Sequence, residues 1–428
     1  MKIKDPFQYR WLVFLVIAHI YFFVWLHRVS PTVIASDLVS AFGADATALG
    51  FMSSSYFYLY AFVQPPVGFL ADTLGSRRVI TLATFVACAG AVIFGTASNM
   101  VMATIGRALI GAGAGGVFVP ALKIFSRWYK ANEFASMTGT LLAVGGIGGL
   151  SASLPLAYLV AFLGWRLSFL AIGTVSFGLA LLCWIVVREK PEDKGWKPIA
   201  VEDPPLRQSL AGPLPLPPIS KRLHMVLGKP EFWMVTLSLF FSGGSLMTFQ
   251  GLWAIPYLMD VYHHSRVQAG GWLMMIPVGF IIGAPTFGFF TDRFALNPRG
   301  VLLFALGLGL SCWIVIVLTH SSPPIYLLSP LFLMLGACAG SSTALYMTIM
   351  KELFPVWLTG TAVGLLNTAA FLSTAVFQPL TGFLMDVVGK KGLAYPLEAY
   401  RLVFVTSLAC MGVALLVIFF LSSPRREA

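Results

Sequence analysis

An eleven-residue stretch, GFLADTLGSRR at positions 68–78, decides the fold, because it separates two long apolar segments of a mostly apolar chain. Its glycines permit close helix packing and a tight turn. Asp72 can cap a helix end or pair with an arginine. Such contacts can form in one conformation and break in another, so the stretch is either a passive charged turn or part of a gate between two states.

The composition indicates an integral membrane protein. Of the 428 residues, 58% are hydrophobic and 11% are charged, whereas ordinary soluble domains carry about 25% charged residues. The net charge of +11 lies in short segments between apolar runs and not in a basic patch mixed with aromatics, which argues against a nucleic-acid partner. All five cysteines lie inside apolar runs without metal or redox spacing, so we expect them to be packing residues.

Twelve apolar runs are long enough to cross a bilayer as helices, which takes about 20 residues each. Lipid offers no partner for open backbone groups, and the runs are too long for barrel strands, so the prediction is an all-α membrane protein with twelve transmembrane helices. The runs are 11–35, 48–70, 79–98, 100–124, 134–162, 167–187, 232–260, 268–290, 301–319, 324–350, 360–385 and 400–422.

Lysine and arginine are concentrated in alternate loops. With a cytoplasmic start, the inner segments hold twelve of them, the long stretch 188–231 holds eight more, and the outer segments hold five. This imbalance predicts a multi-pass protein of the cell membrane with both termini in the cytoplasm. The stretch 188–231 is rich in proline and is predicted to be an extended cytoplasmic linker between six-helix bundles at 1–187 and 232–428.

The two bundles share short sequences in the same order. MTGT at 137–140 corresponds to LTGT at 358–361, GAGAG at 111–115 to GACAG at 336–340, and GFLADTLG at 68–75 to GFFTDRFA at 288–295. The offsets of 221, 225 and 220 residues indicate an internal duplication. Repeated halves around a binding site at the middle of the membrane are a transporter design.

The opening stretch resembles the loop signature G-x-L-x-D-x-x-G-x-R-[KR] of the major facilitator superfamily (MFS), and 288–293 resembles its second copy. Arg107 with the glycines after it is similar to the fourth-helix pattern, and GTLLAVGGIGGLSASLP resembles the fifth, without the usual Gly-Pro pair. The stretch GFLMDVVGKK at 382–391 matches the loop signature almost as well, but it falls on the outer side. The resemblance implies a gate formed by Gly68, Asp72, Gly75, Arg77, Arg78, Gly288, Asp292 and Arg293.

Cations, and not acids, lie inside the predicted helices. All seventeen carboxylates can be assigned to loops or helix ends, whereas Arg28 and Arg107 lie within helices. Charges inside a membrane are costly and default to function, and an anionic substrate could supply the missing counter-charge. Arg28 is the strongest candidate. Arg107 could equally bond the backbone, Lys123 could extend to the inner surface, and His27 could be a packing residue or carry a proton.

Arg28 also carries a more distant resemblance, to the organophosphate–phosphate antiporters and related organic-anion permeases. FFVWLHRVSPTVIASDL at 22–38 resembles their first helix, which places an arginine there for the phosphate. Their second-helix lysine falls on Gln64 here, and their seventh-helix arginine falls near Met247. Because the two-arginine phosphate clamp is absent, we expect a monoanion or a carboxylate.

Helical spacing places further polar and aromatic residues on shared faces of the predicted helices. Each face could line a cavity or form helix–helix hydrogen bonds within its own half. The resemblance implies that helices 1, 2, 4, 5, 7, 8, 10 and 11 line the cavity. The complete set of predicted substrate-binding residues is Arg28, Tyr21, His27, Tyr56, Tyr60, Gln64, Arg107, Lys123, Gln250, Trp253, Tyr257, Tyr346, Asn367 and Gln378.

These observations predict a secondary active transporter that moves a small organic anion, of carboxylate type, by alternating access. No nucleotide-binding loop is visible, so the driving force would be a gradient of protons or of a counter-anion, with no metal or other cofactor. We expect a monomer in the bilayer. An exporter of a metabolite, siderophore or drug and a non-transporting nutrient sensor remain alternatives, whereas an enzyme is disfavoured because no nucleophile–base pair, metal cluster or carboxylate pair is present.

Overall fold

The computed structural model describes residues 5–199, 217–293, 296–319, 321–392 and 394–421. These residues are helical almost throughout, which confirms the predicted all-α membrane fold. The first six spans are built from α1 Pro6–Val29, α2 Pro31–Phe42, α3 Ala46–Thr73, α4 Ser76–Gly95, α5 Met100–Gly115, α6 Phe118–Trp128, α7 Ala131–Ser151 and α8 Leu154–Val186.

The remaining helices form the connection and the last six spans. A short 3₁₀ turn occupies Pro191–Lys194, and a π-helical turn, Phe249–Trp253, joins α10 to α11. The helices are α9 Ile219–Leu227, α10 Pro230–Thr248, α11 Ala254–Tyr262, α12 Arg266–Leu273, α13 Met275–Arg293, α14 Pro298–Leu318, α15 Ile325–Leu353, α16 Val356–Val388 and α17 Leu397–Phe419.

Ten helices of the described residues are long and apolar enough to span a membrane. Helices α3 and α7 complete the twelve spans of the two six-helix repeats. With 28 residues, α3 is about 42 Å long. Its apolar character is diluted by three consecutive serines, Ser53–Ser55, and by Gln64, and it packs along α16 of the other half.

Several spans are broken at positions where the sequence explains the break. Ser30 and Pro31 separate α1 from α2, because proline has no N–H and cannot continue the hydrogen-bond ladder. Gly164 has a φ of 75° inside α8, a conformation that glycine adopts without strain, and it separates the fifth span from the sixth.

The connection differs in part from the prediction. Helix α9 begins directly after Pro218, where an extended chain was expected. A helix can form here because no proline interrupts the sequence between Pro218 and Gly228. Residues 200–216, which carry four of the nine prolines of the stretch 188–231, lie outside the described residues. The bundle boundaries at 187 and 232 stay predictions.

The two halves are closed at one end and open at the other. We call the end where α1 begins the terminal end and the opposite end the distal end. At the distal end, Arg266 pairs with Asp37 at 2.7 Å, and added Cβ atoms on Gly50 and Gly382 would overlap the backbone of the opposite half. Toward the terminal end, added Cβ atoms would meet nothing within 4 Å at Gly68, Gly139, Gly360 and Gly364.

Candidate functional site

Arg28 lies at the last turn of α1, near the middle of the molecule, and is only 6% exposed. Its guanidinium carbon lies 4.2 Å from the ring centre of Trp25, 4.9 Å from that of Phe371 and 5.5 Å from that of Tyr60. Phe371 belongs to α16, so the surroundings of Arg28 combine α1, α3 and a helix of the other half. Among the described residues, Arg28 forms no ion pair, and its Nε has no hydrogen-bond partner.

This arrangement favours an anionic ligand. Aromatic faces attract a guanidinium by about 0.5–2 kcal/mol, whereas removing an ion from water costs several kcal/mol. The rings therefore offset only part of the cost of burying Arg28. An anion that binds beside the guanidinium would supply the missing charge and bidentate hydrogen bonds.

Three phenols surround the Arg28 guanidinium, those of Tyr21, Tyr56 and Tyr60. Tyr56 donates to the Val24 carbonyl at 3.2 Å, and its oxygen lies within hydrogen-bonding reach of the Arg28 guanidinium. The Tyr60 ring lies 4.1 Å from the Phe371 ring, measured between centroids, across the boundary between the halves. The site therefore has a cation, aromatic walls and hydroxyl groups that can orient a small ligand.

The glycine-rich fifth span positions the first span. An added Cβ on Gly145 would lie 2.6 Å from the indole of Trp25 and 2.7 Å from the ring of Tyr21. An added Cβ on Gly148 would overlap the carbonyl oxygen of Phe22. Only glycine at these positions lets α7 approach α1 so closely, and this approach fixes the ring that covers Arg28.

Arg107 is fully buried and is directed at the backbone of the first span. Its Nη1 donates to the His27 carbonyl at 2.5 Å and its Nη2 to the Arg28 carbonyl at 3.4 Å. The residue four positions after His27 is Pro31, which has no N–H to offer that carbonyl. Together with the Ser30 hydroxyl, which donates to the same carbonyl at 3.1 Å, Arg107 thus replaces the helical hydrogen bond that proline removes. This is a structural role, one of the two interpretations that the sequence left open.

His27 points into the first half and not toward the other half. It is buried, and neither ring nitrogen has a hydrogen-bond partner among the described residues. Its ring borders a cavity of about 20 Å³ that is also lined by Thr84 and Ser176. This volume accommodates about one water molecule, so His27 is separated from the Arg28 guanidinium that it was predicted to accompany.

Lys123 is likewise placed away from Arg28. Its Nζ donates to the Ala71 carbonyl at 2.7 Å and to the Asp72 carboxylate at 2.8 Å. Lys123 therefore ties α6 to the terminal end of α3 in this structure and does not lie beside Arg28. The lysine side chain is long, so from α6 it can reach the Asp72 carboxylate at the terminal end of α3.

Of the predicted residues on the seventh and tenth spans, three form hydrogen bonds inside the second half. Trp253 donates to Thr381 at 2.8 Å, Tyr257 donates to the Ser321 carbonyl at 2.8 Å, and the Tyr346 hydroxyl lies 2.6 Å from that of Ser238. All three side chains are buried. The structure thus favours helix–helix bonding over cavity lining for these residues.

The other predicted residues lie at or near the boundary between the halves. Gln64 and Asn367 are half-buried, and Gln250 lies in the π-helical turn. Gln378 is fully buried, and neither atom of its amide has a hydrogen-bond partner among the described residues. Its backbone packs against Gly50, so it sits in the closed distal seam.

The predicted gate residues are partly described. Gly75 has a φ of 89°, and the Glu189 carboxylate accepts hydrogen bonds from the backbone N–H groups of Ser76 and Arg77. The Arg77 guanidinium lies 4.5 Å from the ring centre of Trp184, while Arg78 and Arg293 are exposed. The side chains of Gly288 and Asp292 lie outside the described residues.

Sequence reasoning missed Trp25 and Phe371. Phe371 is four residues after Asn367 and seven before Gln378, so it shares their helical face and could have been found by the same spacing. Trp25 lies one turn before Arg28. In the described part of the chain, no three His, Cys, Asp or Glu side chains are grouped to hold a metal ion.

Residues 13–355 and 251–428 match the family model of the Major Facilitator Superfamily. The chain is 25% identical to the probable sulfoacetate transporter SauU of Cupriavidus necator, over 98% of this chain and 95% of that protein. It is 22% identical to the probable hexose phosphate transport protein of Chlamydia pneumoniae, over 92% and 87%. A solved structure of a bacterial homolog of the human lysosomal transporter Spinster, inward-facing and unoccupied, superposes with a TM-score of 0.77 at 19% identity, over 98% of this chain and 99% of that one.

Proposed function

Because the chain belongs to the Major Facilitator Superfamily, whose members are membrane transporters and not in general enzymes, we propose that it is a secondary active transporter of a small organic anion. The observation that carries this proposal is the buried Arg28 guanidinium, which lies between the two halves without a carboxylate among the described residues. A substrate carboxylate would occupy the space beside it and neutralise it.

The number of free cations supports a single anionic group on the substrate. Arg107 is committed to the backbone, and Lys123 is paired with Asp72, which leaves Arg28 as the cation for a ligand among the described core residues. The two relatives are named for the transport of sulfoacetate and of hexose phosphate, both organic anions. For this chain, one guanidinium with aromatic walls favours a carboxylate monoanion over a phosphate dianion.

The two halves would expose the site to opposite sides in turn. The distribution of lysine and arginine supports a cytoplasmic terminal end in the cell membrane, so the present shape corresponds to a carrier open to the cytoplasm. Gly68, Asp72, Gly75, Arg77 and Arg78, with the second copy at 288–293, would form the inner gate when the terminal end closes. Exchange against a second anion, or movement with a proton, would supply the driving force to a monomeric carrier.

Counterflow into liposomes tests this proposal. The purified protein is reconstituted with an unlabelled compound inside and tested with labelled monocarboxylates, dicarboxylates, phosphate esters and neutral sugars outside. We expect exchange of monocarboxylates and its loss in Arg28→Gln, with Arg401→Gln, an exposed arginine, as the matched control. Exchange of neutral sugars alone, or full activity of Arg28→Gln, would contradict the proposal.

A further inference from the structure

Near the distal end of α16 lies a five-residue sequence that is almost the same as one near the terminal end of α3. GFLMD at 382–386 differs from GFLAD at 68–72 in one residue. The two helices pack along each other and belong to opposite halves. The distal copy lies near the end of α16 and beside the start of α3, and the terminal copy lies near the end of α3.

The distal copy joins the two halves. Gly382 packs directly on the backbone of Ala46, because an added Cβ would overlap its carbonyl oxygen. The Asp386 carboxylate accepts from the backbone N–H of Ala46 at 3.0 Å and from that of Thr47 at 2.7 Å, and the Thr47 hydroxyl donates to it as well. The first turn of α3 is thus held by a carboxylate of the opposite half.

These N–H groups need an external acceptor, since the first four N–H groups of a helix have no partner within it. Within the described part of the chain, the carboxylate of Asp45, the residue that precedes α3, accepts from the Ala48 N–H alone, at 2.7 Å. A negative charge at this end also interacts favourably with the helix dipole. Asp386 therefore supplies a second cap that exists only while the distal end is closed.

Tyr395 completes the contact. Its hydroxyl donates to Asp386 at 2.6 Å and accepts from the Ala46 N–H at 2.8 Å. Burial, followed by the neighbouring Asp386 carboxylate, raises the pKa of the Tyr395 phenol, so it remains a donor at neutral pH. The carboxylate is consequently fixed in position by the second half before it meets α3.

The terminal copy makes no such contact in the same structure. Nothing lies within 4 Å of an added Cβ on Gly68, and Asp72 pairs with Lys123 of its own half. The distal copy is engaged between the halves while the terminal copy is engaged within one half, which matches a molecule that is closed at one end and open at the other.

We propose that Asp386 is a positioning residue that keeps the distal end closed through the first turn of α3 and so sets the balance between the two carrier states. This inference rests on the alternating-access transport proposed above. When the distal end opens, Ala46 and Thr47 leave the carboxylate and are hydrated instead. Removing the carboxylate favours the distal-open state and slows the return to the state seen here.

Two reporter variants, each with one added cysteine, measure this balance without knowledge of the substrate. Gln378→Cys reports on the closed distal seam, and Gly360→Cys reports on the open terminal side, where an added side chain has free space. Each is labelled with a membrane-impermeant maleimide from its own side in proteoliposomes, and the buried native cysteines give the background.

In Asp386→Ala we expect distal labelling to be about tenfold faster and terminal labelling to be slower, with partial return toward the parent rates in Asp386→Glu. Asp45→Ala removes a cap of the same helix that lies within one half, and it should leave the ratio of the two rates unchanged. Asp386→Asn provides the same test should Asp386→Ala fail to fold. The inference would be overturned if Asp386→Ala and Asp386→Asn kept the parent's ratio of distal to terminal labelling rates, or if Asp45→Ala changed this ratio equally. A lack of anion transport would overturn only the proposed function.

Discussion

The Arg28 guanidinium lies 4.9 Å from the ring centre of Phe371, so the buried cation of the first half rests on an aromatic side chain of the second half. Any ligand that binds Arg28 therefore also touches the boundary along which the halves must move. This geometry connects anion binding to the conformational change more directly than a site within either half would.

Replacing Phe371 tests that connection. In Phe371→Leu the ring is lost while apolar volume is largely kept, and a cation–π contact of about 0.5–1 kcal/mol disappears. We expect the apparent KM for the anion to rise about two- to fivefold, with recovery in Phe371→Trp. The matched control is Phe383→Leu, an exposed ring on the same helix, and an equal change there would contradict the assignment.

Arg107 should act on stability and not on the choice of substrate. Arg107→Ala leaves the His27 carbonyl with the Ser30 hydroxyl as its remaining donor and removes the bond to the Arg28 carbonyl. Losing a buried hydrogen bond from a charged group costs about 1.5–3 kcal/mol, so the melting temperature should fall with or without ligand. Pro31→Ala restores an N–H at the position that can bond this carbonyl. The loss caused by Arg107→Ala should therefore be smaller in the Pro31→Ala background, and thermal melts of the four proteins measure the difference. Equal losses in both backgrounds would count against this role.

Closure of the distal end depends on close backbone contact at Gly382. In Gly382→Val the added side chain meets the Ala46 backbone, so the closed seam cannot form. We expect counterflow to fall at least tenfold, with faster distal labelling of a seam cysteine. Gly412→Val, where an added Cβ meets nothing within 4 Å, is the control. Undiminished counterflow by Gly382→Val would show that this contact is dispensable.

Much of the fold follows from the sequence, because a membrane span requires an apolar run of a certain length and the bilayer allows few alternatives. The π-helical turn at Phe249–Trp253 was not predicted. Gly251 lies within it and Pro256 follows it, but glycine and proline also occur inside regular helices of this chain, such as Pro65 and Pro66 in α3. The break at Pro31 carries a local signal, the missing N–H, but its partner Arg107 is some 80 positions away in the sequence.

The site is harder to predict than the fold. Arg28 could be singled out because it is a charged residue within a predicted span. Burying a charge in a membrane costs free energy that few structural roles would justify. Helical spacing groups Trp253 with Tyr257 on one face, but it does not say whether this face meets the cavity or the helices of its own half. That direction depends on how each helix is rotated against its neighbours, which only the packed structure shows.

The central claim is that Arg28 recognises the charge of the substrate, and matched carboxylate and amide ligands test it most directly. Thermal stabilisation of the purified protein is measured with pairs such as lactate and lactamide, or acetate and acetamide, in the parent protein and in Arg28→Gln. The account predicts that a carboxylate stabilises the parent protein, that its neutral amide does not, and that Arg28→Gln responds to neither. Equal stabilisation by carboxylate and amide, or a carboxylate response that survives in Arg28→Gln, would contradict it.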